Sequence, residues 1–452
     1  MKRKWFDKKV LIAGLSKSGT AAARYLNSKG AECFVTEFKQ VDEKSAELVK
    51  ELESEGIHVE TGGHSDEFIK DSYLAVMSPG IPPHSELYAK LKKFNVPFVS
   101  EPELAYGETT VPFIAVTGTN GKTTVTSLIS HILSTKYDAP VCGNIGIPPI
   151  SLVDGEHDFF VCETSSYQSE LSPSLTPFIA CFLNWSPNHV DWHDGAENYF
   201  KAKAKLFADY KQPVFAIFNA KDEKVFEFSK TYSGEKFYFC GEFEKNCCFI
   251  RDGKIYYKRR KGEEEIIRVD EIDLIGEHNL ENVMCAIIAA KICGIDNETL
   301  KERIKSFKAI EHRIEFCGEN AKHKFYNDSK STTPGATITA LKALAGKSIT
   351  LIAGGRDKNT DLGDFCAKVK ETCNHVILIG EAADRFAQNL ENFGFEGVIK
   401  SPSFENSIDT ADGLDDEIIL FSPACASFDM FDNFEHRGEK FKEYVATKTA
   451  RQ

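Results

Sequence analysis

The sequence predicts an α/β protein with three domains, and two observations support this fold class. Short apolar runs alternate with helical patterns along most of the chain, which is typical of βαβ units built around parallel sheets. The 452 residues are also enough for about three domains of roughly 150 residues each. We therefore expect an N-terminal Rossmann-like domain (1–100), a central α/β domain with a small antiparallel sheet (101–309), and a C-terminal Rossmann-like domain (310–452).

The first hundred residues contain four short apolar runs with helical patterns between them. The predicted strands are Lys9–Ala13, Cys33–Thr36, Ile57–Val59 and Leu74–Met77, and the predicted helices are Thr20–Ser28 and Asp42–Glu55. Strands separated by helices of this length favour a parallel sheet, because a parallel connection needs a crossover.

The central block repeats this pattern and then changes. The predicted elements are the strands Phe113–Thr117, Phe159–Cys162, Phe178–Leu183 and Val214–Phe218 and the helix Thr123–Leu133. Further on, Cys247–Ile250 and Lys254–Lys258 flank Asp252-Gly253, which predicts a β-hairpin with a primed turn. We expect this hairpin to form an antiparallel edge or flap of the central domain.

A third alternating block starts near Ala309. Its predicted elements are the helix Pro334–Ala345 and the strands Lys324–Tyr326, Ile349–Ile352, His375–Ile379 and Glu417–Phe421. In open α/β sheets of this kind ligands bind at the carboxyl ends of the strands. Residues directly after predicted strands are therefore candidate site residues.

Composition excludes several classes of protein. A formal net charge of -13 argues against a protein that coats nucleic acid, because neutralising phosphates needs many lysines and arginines. The 13 cysteines are scattered, and many lie in apolar runs, so we expect reduced and buried thiols. No apolar stretch approaches the roughly 20 residues of a membrane span. We expect a cytoplasmic protein.

The clearest motif is a phosphate loop at residues 117–124. It follows an apolar strand and begins a helix, which is the context that such a loop requires. The glycines allow backbone N–H groups to point at phosphates, Lys122 reaches the terminal phosphates, and the Thr123 hydroxyl is a candidate Mg²⁺ ligand. Val116 stands where the common loop has glycine, so this is a shortened variant. The predicted ATP-binding residues are Gly118, Thr119, Asn120, Gly121, Lys122, Thr123 and Thr124.

Two further candidate residues follow neighbouring strands of the central block. Glu163 comes directly after one predicted strand, and His189, with Asp191, follows the next. A carboxylate at this edge suits Mg²⁺, which takes a few carboxylates together with phosphate oxygens. The alternative is that Glu163 is a surface residue before a turn and that His189 is a polar side chain with an ordinary hydrogen bond.

Three lysines lie on the helix predicted after His189, namely Lys201, Lys203 and Lys205. Residues two apart cannot share one face of a helix with 3.6 residues per turn. Most of these lysines should be solvated, and the spacing does not show which one points inward.

Polar clusters also occur near the third block. Asn279 and Asn282, three residues apart at the start of a predicted helix, could contact an adenine or cap the helix. His312-Arg313 and the segment 327–332 follow, in which Asp328 suits ribose hydroxyls and Lys330 suits a carboxylate or phosphate.

The first block contains a glycine-rich turn, Gly14 to Gly19, after its first strand. Ser16 replaces the middle glycine of a dinucleotide fingerprint, so the indication of NAD is weak. Glu37, at the end of the second strand, could bind a ribose, and a nucleotide diphosphate could bind at the helix N-terminus. A nicotinamide-dependent oxidoreductase is the alternative hypothesis from a different class of enzyme. No hydride-transfer site accompanies the turn, which argues against it.

Taken together, these motifs resemble those of the Mur ligase family along essentially the whole chain. The resemblance rests on the short phosphate loop, Glu163-x-Ser165-Ser166, the His189 segment, the Ala-Lys helix, Gly276-x-His278-Asn279-x-x-Asn282, His312-Arg313 and Asn327-Asp328-Ser329-Lys330-x-Thr332. The run Ser422–Asp429 and the run Asn433–Gly438 resemble the branch that adds D-glutamate. Asn188 and Ser186 depart from the family pattern, in which Asp and Thr are usual.

The resemblance implies an ATP-dependent ligase that forms an acyl phosphate on UDP-N-acetylmuramoyl-L-alanine and couples it to D-glutamate. It implies Lys122, Glu163, His189 and Lys203 as catalytic residues, and Mg²⁺ held by Thr123, Glu163, His189 and a carbamate on Lys203. It implies Asn279, Asn282, Arg313 and Asp328 at the ATP, and Lys330, Thr332, Lys358, Ser427 and Phe434 at D-glutamate. The uridine-nucleotide substrate would contact Gly14, Leu15, Ser16, Glu37, Ser78, Pro79, Gly80 and Asn144.

We also expect a monomer without a nucleic-acid partner. The nearest rivals are other ligases of the same superfamily, which add L-alanine, a diamino acid, or glutamate on folate. A regulatory protein that has lost catalysis is a third alternative, but the retained Lys122, Glu163, His189 and Lys203 argue against it.

Overall fold

The computed structural model describes residues 4–208, 212–259, 262–308 and 310–449. The chain forms two compact units, one made of Met1–Ile272 with Glu281–Ser306 and the other of Asp273–Leu280 with Phe307–Gln452. The predicted boundary near Ala309 lies outside the described residues, and the division into three domains stays a prediction. Three sheets confirm the α/β fold class.

The first sheet belongs to the first unit and is entirely parallel, as the alternating pattern predicted. Its order is β3-β2-β1-β4-β5. The strands are β1 (Lys9–Ala13), β2 (Glu32–Glu37), β3 (His58–Thr61), β4 (Leu74–Met77) and β5 (Phe98–Ser100), and the helices are α1 (Lys17–Ser28), α2 (Glu43–Ser54), α3 (Asp66–Ile69), α4 (Glu86–Lys93) and α5 (Glu101–Tyr106). Helix α1 begins earlier than predicted because the Ser16 side chain caps it, accepting from Gly19 N at 3.2 Å.

The second sheet has nine strands in the order β14-β13-β12-β11-β10-β9-β6-β8-β7. Its strands are β6 (Phe113–Thr117), β7 (Val141–Gly143), β8 (Phe160–Glu163), β9 (Ile179–Phe182), β10 (Phe215–Asn219), β11 (Glu235–Phe239), β12 (Cys247–Arg251), β13 (Lys254–Arg259) and β14 (Gly262–Arg268). The helices of this part of the chain are α6 (Lys122–Leu133), α7 (Ser166–Glu170), α8 (Val190–His193), α9 (Ala196–Ala204), α10 (Glu223–Thr231), α11 (Glu277–Ile292) and α12 (Asn297–Ser306).

The predicted hairpin is confirmed. β12 and β13 pair antiparallel, and both Asp252 (φ 51°) and Gly253 (φ 69°) have the positive φ that a type I′ turn requires. The hairpin is not a separate sheet, because β12 also pairs with β11 and β14 extends β13. The antiparallel strands therefore form one edge of the central sheet.

The third sheet belongs to the second unit and has the order β15-β16-β20-β17-β18-β19. Its strands are β15 (Glu315–Glu319), β16 (Lys324–Asn327), β17 (Ile349–Gly354), β18 (His375–Ile379), β19 (Val398–Lys400) and β20 (Ile418–Phe421), and its helices are α13 (Pro334–Ala343), α14 (Gly363–Thr372), α15 (Ala383–Asn392), α16 (Phe404–Asp412) and α17 (Phe434–Thr449). All neighbours pair parallel except β15 and β16. Apolar cores cover both faces of this sheet.

The thiols are buried, as the sequence predicted. All 13 cysteines are free, and only Cys240 and Cys317 are not fully buried. None of the helices in the described part of the chain combines the length and apolar character needed to cross a bilayer.

Candidate active site

The phosphate loop lies between β6 and α6, at the carboxyl edge of the central sheet. Gly118 (φ 151°) and Gly121 (φ 83°) have positive φ, which favours glycine. Lys122 Nζ donates to Gly118 O at 3.0 Å and to Thr119 O at 2.9 Å, so its ammonium group folds back over the loop. A Cβ added to Gly121 would lie 2.4 Å from Asn282 Oδ1, which places Asn282 directly against the loop.

Asn184 shapes the same loop and was not among the predicted site residues. Its Oδ1 accepts from Asn120 N at 2.8 Å, and its Nδ2 donates to Asn120 O at 3.2 Å. It follows β9, which pairs with β6. Its position directly after a strand next to the loop was the signal that could have identified it.

Glu163 is the last residue of β8 and is 2% exposed. Its Oε2 accepts from Thr123 Oγ1 at 2.8 Å, and its Oε1 accepts from Asn144 Nδ2 at 2.7 Å. The structure therefore brings the predicted metal residues Thr123 and Glu163 together. It also places Asn144, predicted at the uridine-nucleotide substrate, beside the same carboxylate.

Lys203 is the lysine of its helix that points inward. It is 1% exposed, its Nζ donates to Gly118 O at 2.8 Å, and it lies 4.5 Å from the centre of the Tyr199 ring. Burial lowers the pKa of Lys203 well below its usual value, the charge of Lys122 lowers it further, and Glu163 opposes both. This lowering favours the neutral amine next to the phosphate loop.

His189 follows β9 in a left-handed conformation (φ 51°) and is exposed. Its ring centre lies 5.1 Å from that of Tyr167 and 6.0 Å from that of Tyr199. The strands β8, β6 and β9 are parallel neighbours, so Glu163, the phosphate loop and His189 all follow carboxyl ends at one edge of the sheet.

An aromatic cluster between these residues was not predicted. The His193 ring stacks on Tyr167, 5.5 Å between centres, and its Nε2 lies 2.9 Å from Ser166 Oγ. Burial lowers the pKa of His193 to about 4, and the charge of Lys203 and the ring of His189 add to that effect. His193 is therefore neutral and joins the segment after Glu163 to the helix after His189. This role depends on contacts between residues that are far apart in the sequence, so the sequence alone does not reveal it.

The residues around Glu163 fit a magnesium ion. The described residues contain no group of three or more His, Cys, Asp or Glu side chains arranged to hold a metal. Mg²⁺ does not need one, because it binds one or two carboxylates, substrate phosphates and waters. The hydroxyl of Thr123 and the carboxylate of Glu163, 2.8 Å apart beside a phosphate loop, are oxygen ligands of the required kind.

A cavity of about 880 Å³ lies in the first unit and collects most of the residues predicted to bind the uridine nucleotide. Its lining includes Gly14, Ser16, Glu37, Ser78, Pro79, Gly80 and Asn144. Leu15 does not line it, but Leu15 N donates to Glu37 Oε2 at 3.1 Å. Ser16 Oγ lies 2.7 Å from Ser78 Oγ, which ties the turn after β1 to the turn after β4. Lys17, Phe38 and His64 also line the cavity and were not predicted.

The second unit holds the remaining predicted residues. Asp328 is buried and accepts from the hydroxyls of Ser331 and Ser422, each at 2.6 Å. Burial raises the pKa of Asp328 to about 6, while these hydrogen bonds and the charge of Arg313 oppose the rise. Asn279 also belongs to this unit, and its Nδ2 donates to Ile275 O at 2.7 Å. Asn279, Arg313 and Asp328 are thus in the second unit, whereas Asn282 is in the first.

The residues predicted at D-glutamate lie in three neighbouring segments of the second unit. Lys330 Nζ lies 5.4 Å from the centre of the Phe434 ring, and Lys358 Nζ donates to Thr332 O at 3.2 Å. Ser427 is 2% exposed and follows Ala426, whose carbonyl accepts from Arg356 N at 2.9 Å.

Arg437 connects two of these segments. It lies in the run Asn433–Gly438 that resembles the D-glutamate branch, but no role was predicted for it. The side chain is fully buried, and it donates to Ser329 O at 2.7 Å, to Ser329 Oγ at 3.0 Å and to Cys425 O at 3.1 Å. It therefore fixes the start of the Lys330 segment against the start of the Ser427 segment.

The loop, the buried acid and the buried lysine define a nucleotide-binding enzyme of the phosphate-loop class. Most of the chain also matches known domain families, and these families belong to this class of enzyme. Residues 8–100 match the N-terminal domain of MurD-like Mur ligases, residues 116–290 match the Mur ligase middle domain, and residues 312–425 match the Mur ligase glutamate ligase domain. The chain belongs to the Mur ligase family, whose members are ATP-dependent ligases.

Curated relatives are similar over nearly the full length. The chain is 36% identical over 446 residues to the UDP-N-acetylmuramoylalanine–D-glutamate ligase of Acidobacterium capsulatum, covering 97% of this chain and 96% of the relative. It is 37% identical over 444 residues to the enzyme of the same name from Pelotomaculum thermopropionicum, covering 97% of each chain. The enzyme of that name from Caldicellulosiruptor bescii is 38% identical over 462 residues, with 97% of each chain covered.

Solved structures show the same fold at low identity. The UDP-N-acetylmuramate-alanine ligase of Thermotoga maritima superimposes with a TM-score of 0.59 at 17% identity, covering 97% of this chain and 99% of that one. MurF from Acinetobacter baumannii gives 0.60 at 15% identity, with coverage of 99% and 92%. These two likenesses concern the fold alone.

Proposed function

We propose that this protein is the ATP-dependent ligase that adds D-glutamate to UDP-N-acetylmuramoyl-L-alanine in peptidoglycan precursor synthesis. The observation that carries the proposal is the similarity, 35% to 38% identity over about 97% of the chain, to relatives named for this reaction. The phosphate loop, the buried Glu163 and the buried Lys203 support the same chemistry independently.

In the proposed reaction the substrate carboxylate attacks the γ-phosphorus of ATP, and the bond to the bridging oxygen breaks to release ADP. The amine of D-glutamate then attacks the acyl phosphate carbonyl, loses a proton, and phosphate leaves. Lys122, which already folds over Gly118 and Thr119, neutralises charge that develops on the transferred phosphoryl group. The backbone N–H groups of the loop hold the phosphates.

Mg²⁺ is the cation that the oxygen ligands favour. It would be held by Thr123, Glu163, His189 and Lys203, the last as a carbamate. When bound, the ion supplies positive charge beside the phosphates. Asn144, which donates to Glu163 at 2.7 Å, keeps the carboxylate oriented towards that position.

Lys203 acts as a carbamate in this proposal. A neutral Nζ attacks the carbon of CO₂ and loses a proton, which gives a planar anion in place of a cation. Burial to 1% exposure favours the neutral amine, and the hydrogen bond to Gly118 O holds it close to the loop. An ammonium at the same place would repel both Lys122 and a bound cation.

The two other substrates would occupy separate sites. The uridine nucleotide would enter the 880 Å³ cavity of the first unit, where Gly14, Ser16 and Glu37 follow strand ends. D-glutamate would contact Lys330, Thr332, Lys358, Ser427 and Phe434 of the second unit, in which two lysines match the two carboxylates of the amino acid.

We further propose a cytoplasmic monomer without a nucleic-acid partner. The net charge of -13 supports the last point, because a dense positive surface would be needed to bind phosphates in bulk. Light scattering after size-exclusion chromatography should give a mass near 50.5 kDa, and a doubled mass would overturn the monomer.

The decisive experiment is ADP release by the purified protein with UDP-N-acetylmuramoyl-L-alanine and D-glutamate, omitting each substrate in turn. ADP should appear only when all substrates are present. L-alanine, a diamino acid, and L-glutamate with a folate acceptor test the rival ligases, and turnover with one of these in place of D-glutamate would overturn the proposal. Lys122→Ala is the inactive control, because it removes the phosphate-loop charge and should leave the fold intact.

A further inference from the structure

His64 lies in the uridine-nucleotide cavity and takes no part in the chemistry described above. It follows β3, is 8% exposed, and lines the cavity together with Thr36 and Phe38. Its backbone carbonyl accepts from Lys90 Nζ, which fixes the segment. The ring is therefore a buried polar group held at the wall of a binding cavity.

The neighbours of Thr36 determine which nitrogen of His64 carries the proton. Thr36 Oγ1 lies 2.7 Å from Glu60 Oε1, 3.3 Å from Gly63 O and 2.6 Å from His64 Nδ1. A carboxylate and a carbonyl are acceptors only, so the threonine proton goes to one of them. The threonine oxygen must then accept from His64 Nδ1–H. Nε2 consequently carries a lone pair and no proton.

The ring stays neutral in this environment. Burial lowers the pKa of His64, and the positive charge of Lys90 adds to this effect, while Glu60, Glu86 and Glu37 oppose it. The hydrogen bond to Thr36 uses Nδ1, and Nε2 makes none to the other described residues. A neutral ring with one bound proton therefore presents an unsatisfied acceptor in the cavity.

Phe38 supplies a flat apolar surface close to this acceptor. It is 64% exposed, unusually high for a phenylalanine, and its ring centre lies 5.9 Å from that of His64 at an angle of 35°. Aromatic faces of this kind stack on nucleobases regardless of sequence, whereas an acceptor at the base edge discriminates between bases.

We propose that His64 is a specificity-determining residue that selects uracil over cytosine by accepting a hydrogen bond from N3–H of the base. The inference rests on the proposed function, since that function supplies the uridine nucleotide. Uracil carries a proton on N3, whereas N3 of cytosine has a lone pair that would face the lone pair of Nε2. The neutral tautomer imposed by Thr36 therefore accepts one pyrimidine and rejects the other.

The test is calorimetric titration of the purified full-length protein with UDP and with CDP, which share the ribose and the diphosphate. UDP should bind about tenfold tighter or more, because CDP leaves a buried acceptor unpaired. Equal affinities for UDP and CDP would overturn the proposal. The measurement does not require turnover. A failure of base selection would therefore appear in the binding data, whereas a failure of the proposed ligase reaction would appear only in the activity assay.

Two variants locate the selectivity at Nε2. His64→Asn keeps an amide near the position of Nδ1 for Thr36 but does not reach the cavity, so UDP affinity should fall to the level of CDP. His64→Gln reaches the cavity with an amide that can donate or accept, so the two affinities should converge while UDP binding is partly retained. Phe38→Leu is the control and should weaken both nucleotides equally.

The alternative contact for Nε2 is a ribose hydroxyl, which is also a donor. In that case His64→Asn would weaken UDP and CDP by the same factor and leave their ratio unchanged. That result would overturn the assignment to the base, provided that thermal melting shows the variant to be folded.

Discussion

Lys203 and Lys201 are two residues apart on helix α9, yet their surroundings are opposite. Lys201 is exposed, whereas Lys203 is buried against the Tyr199 ring and the carbonyl of Gly118. The sequence showed that the lysines could not share one face but not which one pointed inward. The deciding contact joins residues 118 and 203, and local periodicity carries no information about contacts over that separation.

The first prediction concerns Lys203→Ala, which should reduce turnover by at least about a hundredfold because it removes the anion proposed beside the phosphates. Added short-chain carboxylic acids should partly restore the rate by replacing that anion. Lys201→Ala is the matched control on the same helix and should behave like the wild type. Full activity of Lys203→Ala without added acid would contradict the carbamate.

The second prediction concerns amino-acid recognition. Lys330→Ala and Ser427→Ala should raise KM for D-glutamate by about tenfold or more, because each removes a hydrogen bond to a charged group. The dissociation constant of ATP should change little. Lys347→Ala, which removes an exposed lysine paired with Glu417 in the same unit, is the control. Weaker ATP binding with an unchanged KM for D-glutamate would refute the assignment.

At the scale of elements, the connection between β6 and α6 depends on glycine for two reasons. Gly121 has φ 83°, and a Cβ there would lie 2.4 Å from Asn282 Oδ1. Gly253, in the turn between β12 and β13, has φ 69° but no neighbouring atom within 4 Å of an added Cβ. A substitution at Gly121 therefore combines backbone strain with a steric conflict, whereas a substitution at Gly253 introduces backbone strain alone.

The third prediction follows from this comparison. Gly121→Ala should weaken ATP binding by about tenfold or more, because the added methyl group strains a backbone with φ 83° and displaces the Asn282 amide from the loop. Gly253→Ala should lower the free energy of unfolding by about 1 kcal/mol through backbone strain and leave ATP binding unchanged. Nucleotide titration and urea unfolding of both variants check this. Normal ATP affinity in Gly121→Ala would contradict the prediction.

Helix α5 is attached to the segment 149–151 through a buried acid. Glu101 Oε1 accepts from Ile150 N at 2.7 Å, whereas Oε2 is buried without a partner. Burial raises the pKa of Glu101 to about 8, and the hydrogen bond from Ile150 opposes the rise. Because the folded protein holds this proton more tightly than the unfolded chain, the stabilising contribution is complete below about pH 4.5 and is lost as pH rises to about 8.

The fourth prediction is that Glu101→Gln stabilises the protein at high pH only. The amide keeps an acceptor for Ile150 N without a charge, so the gain should be near zero at pH 5 and on the order of a few kcal/mol at pH 9. Melting temperatures across this range check it. Glu103→Gln is the control, since Glu103 accepts from Ser174 and Leu175 and should lose stability throughout. A gain at pH 5 equal to that at pH 9 would refute the prediction.

For the whole molecule, the sequence predicted the α/β class and the edges at which site residues lie, because both follow from short-range patterns. The parallel strands confirm the fold class. The loop and His189 follow strands of one sheet, and Glu163 is the last residue of the strand that was predicted to end just before it. The sequence did not indicate the roles of Arg437, His193 or His64. Each of these acts through partners far along the chain, and a single arginine or histidine has no periodicity that marks burial.

The division of the chain into units leads to the fifth prediction. The segment Asp273–Leu280 belongs to the second unit, and Ile275 packs against the core of that unit. Ile275→Ala in the full chain should therefore lower the free energy of unfolding of the second unit by on the order of 1 kcal/mol, because it removes a partly buried side chain from that core. Urea unfolding of the variant and of the wild type measures the difference. An unchanged free energy of unfolding would contradict the grouping.

The burial of the thiols has a practical consequence for spectroscopy. Cys240 lies in the first unit and Cys317 in the second, and they are the two cysteines that are not fully buried. Maleimide dyes or nitroxide spin labels should therefore react first at these two thiols, one in each unit. Burial raises the pKa of the Cys317 thiol to about 12, so its labelling needs longer reaction or higher pH. Energy transfer or pulsed dipolar measurements between the two labels would then report the separation of the units as each substrate is added.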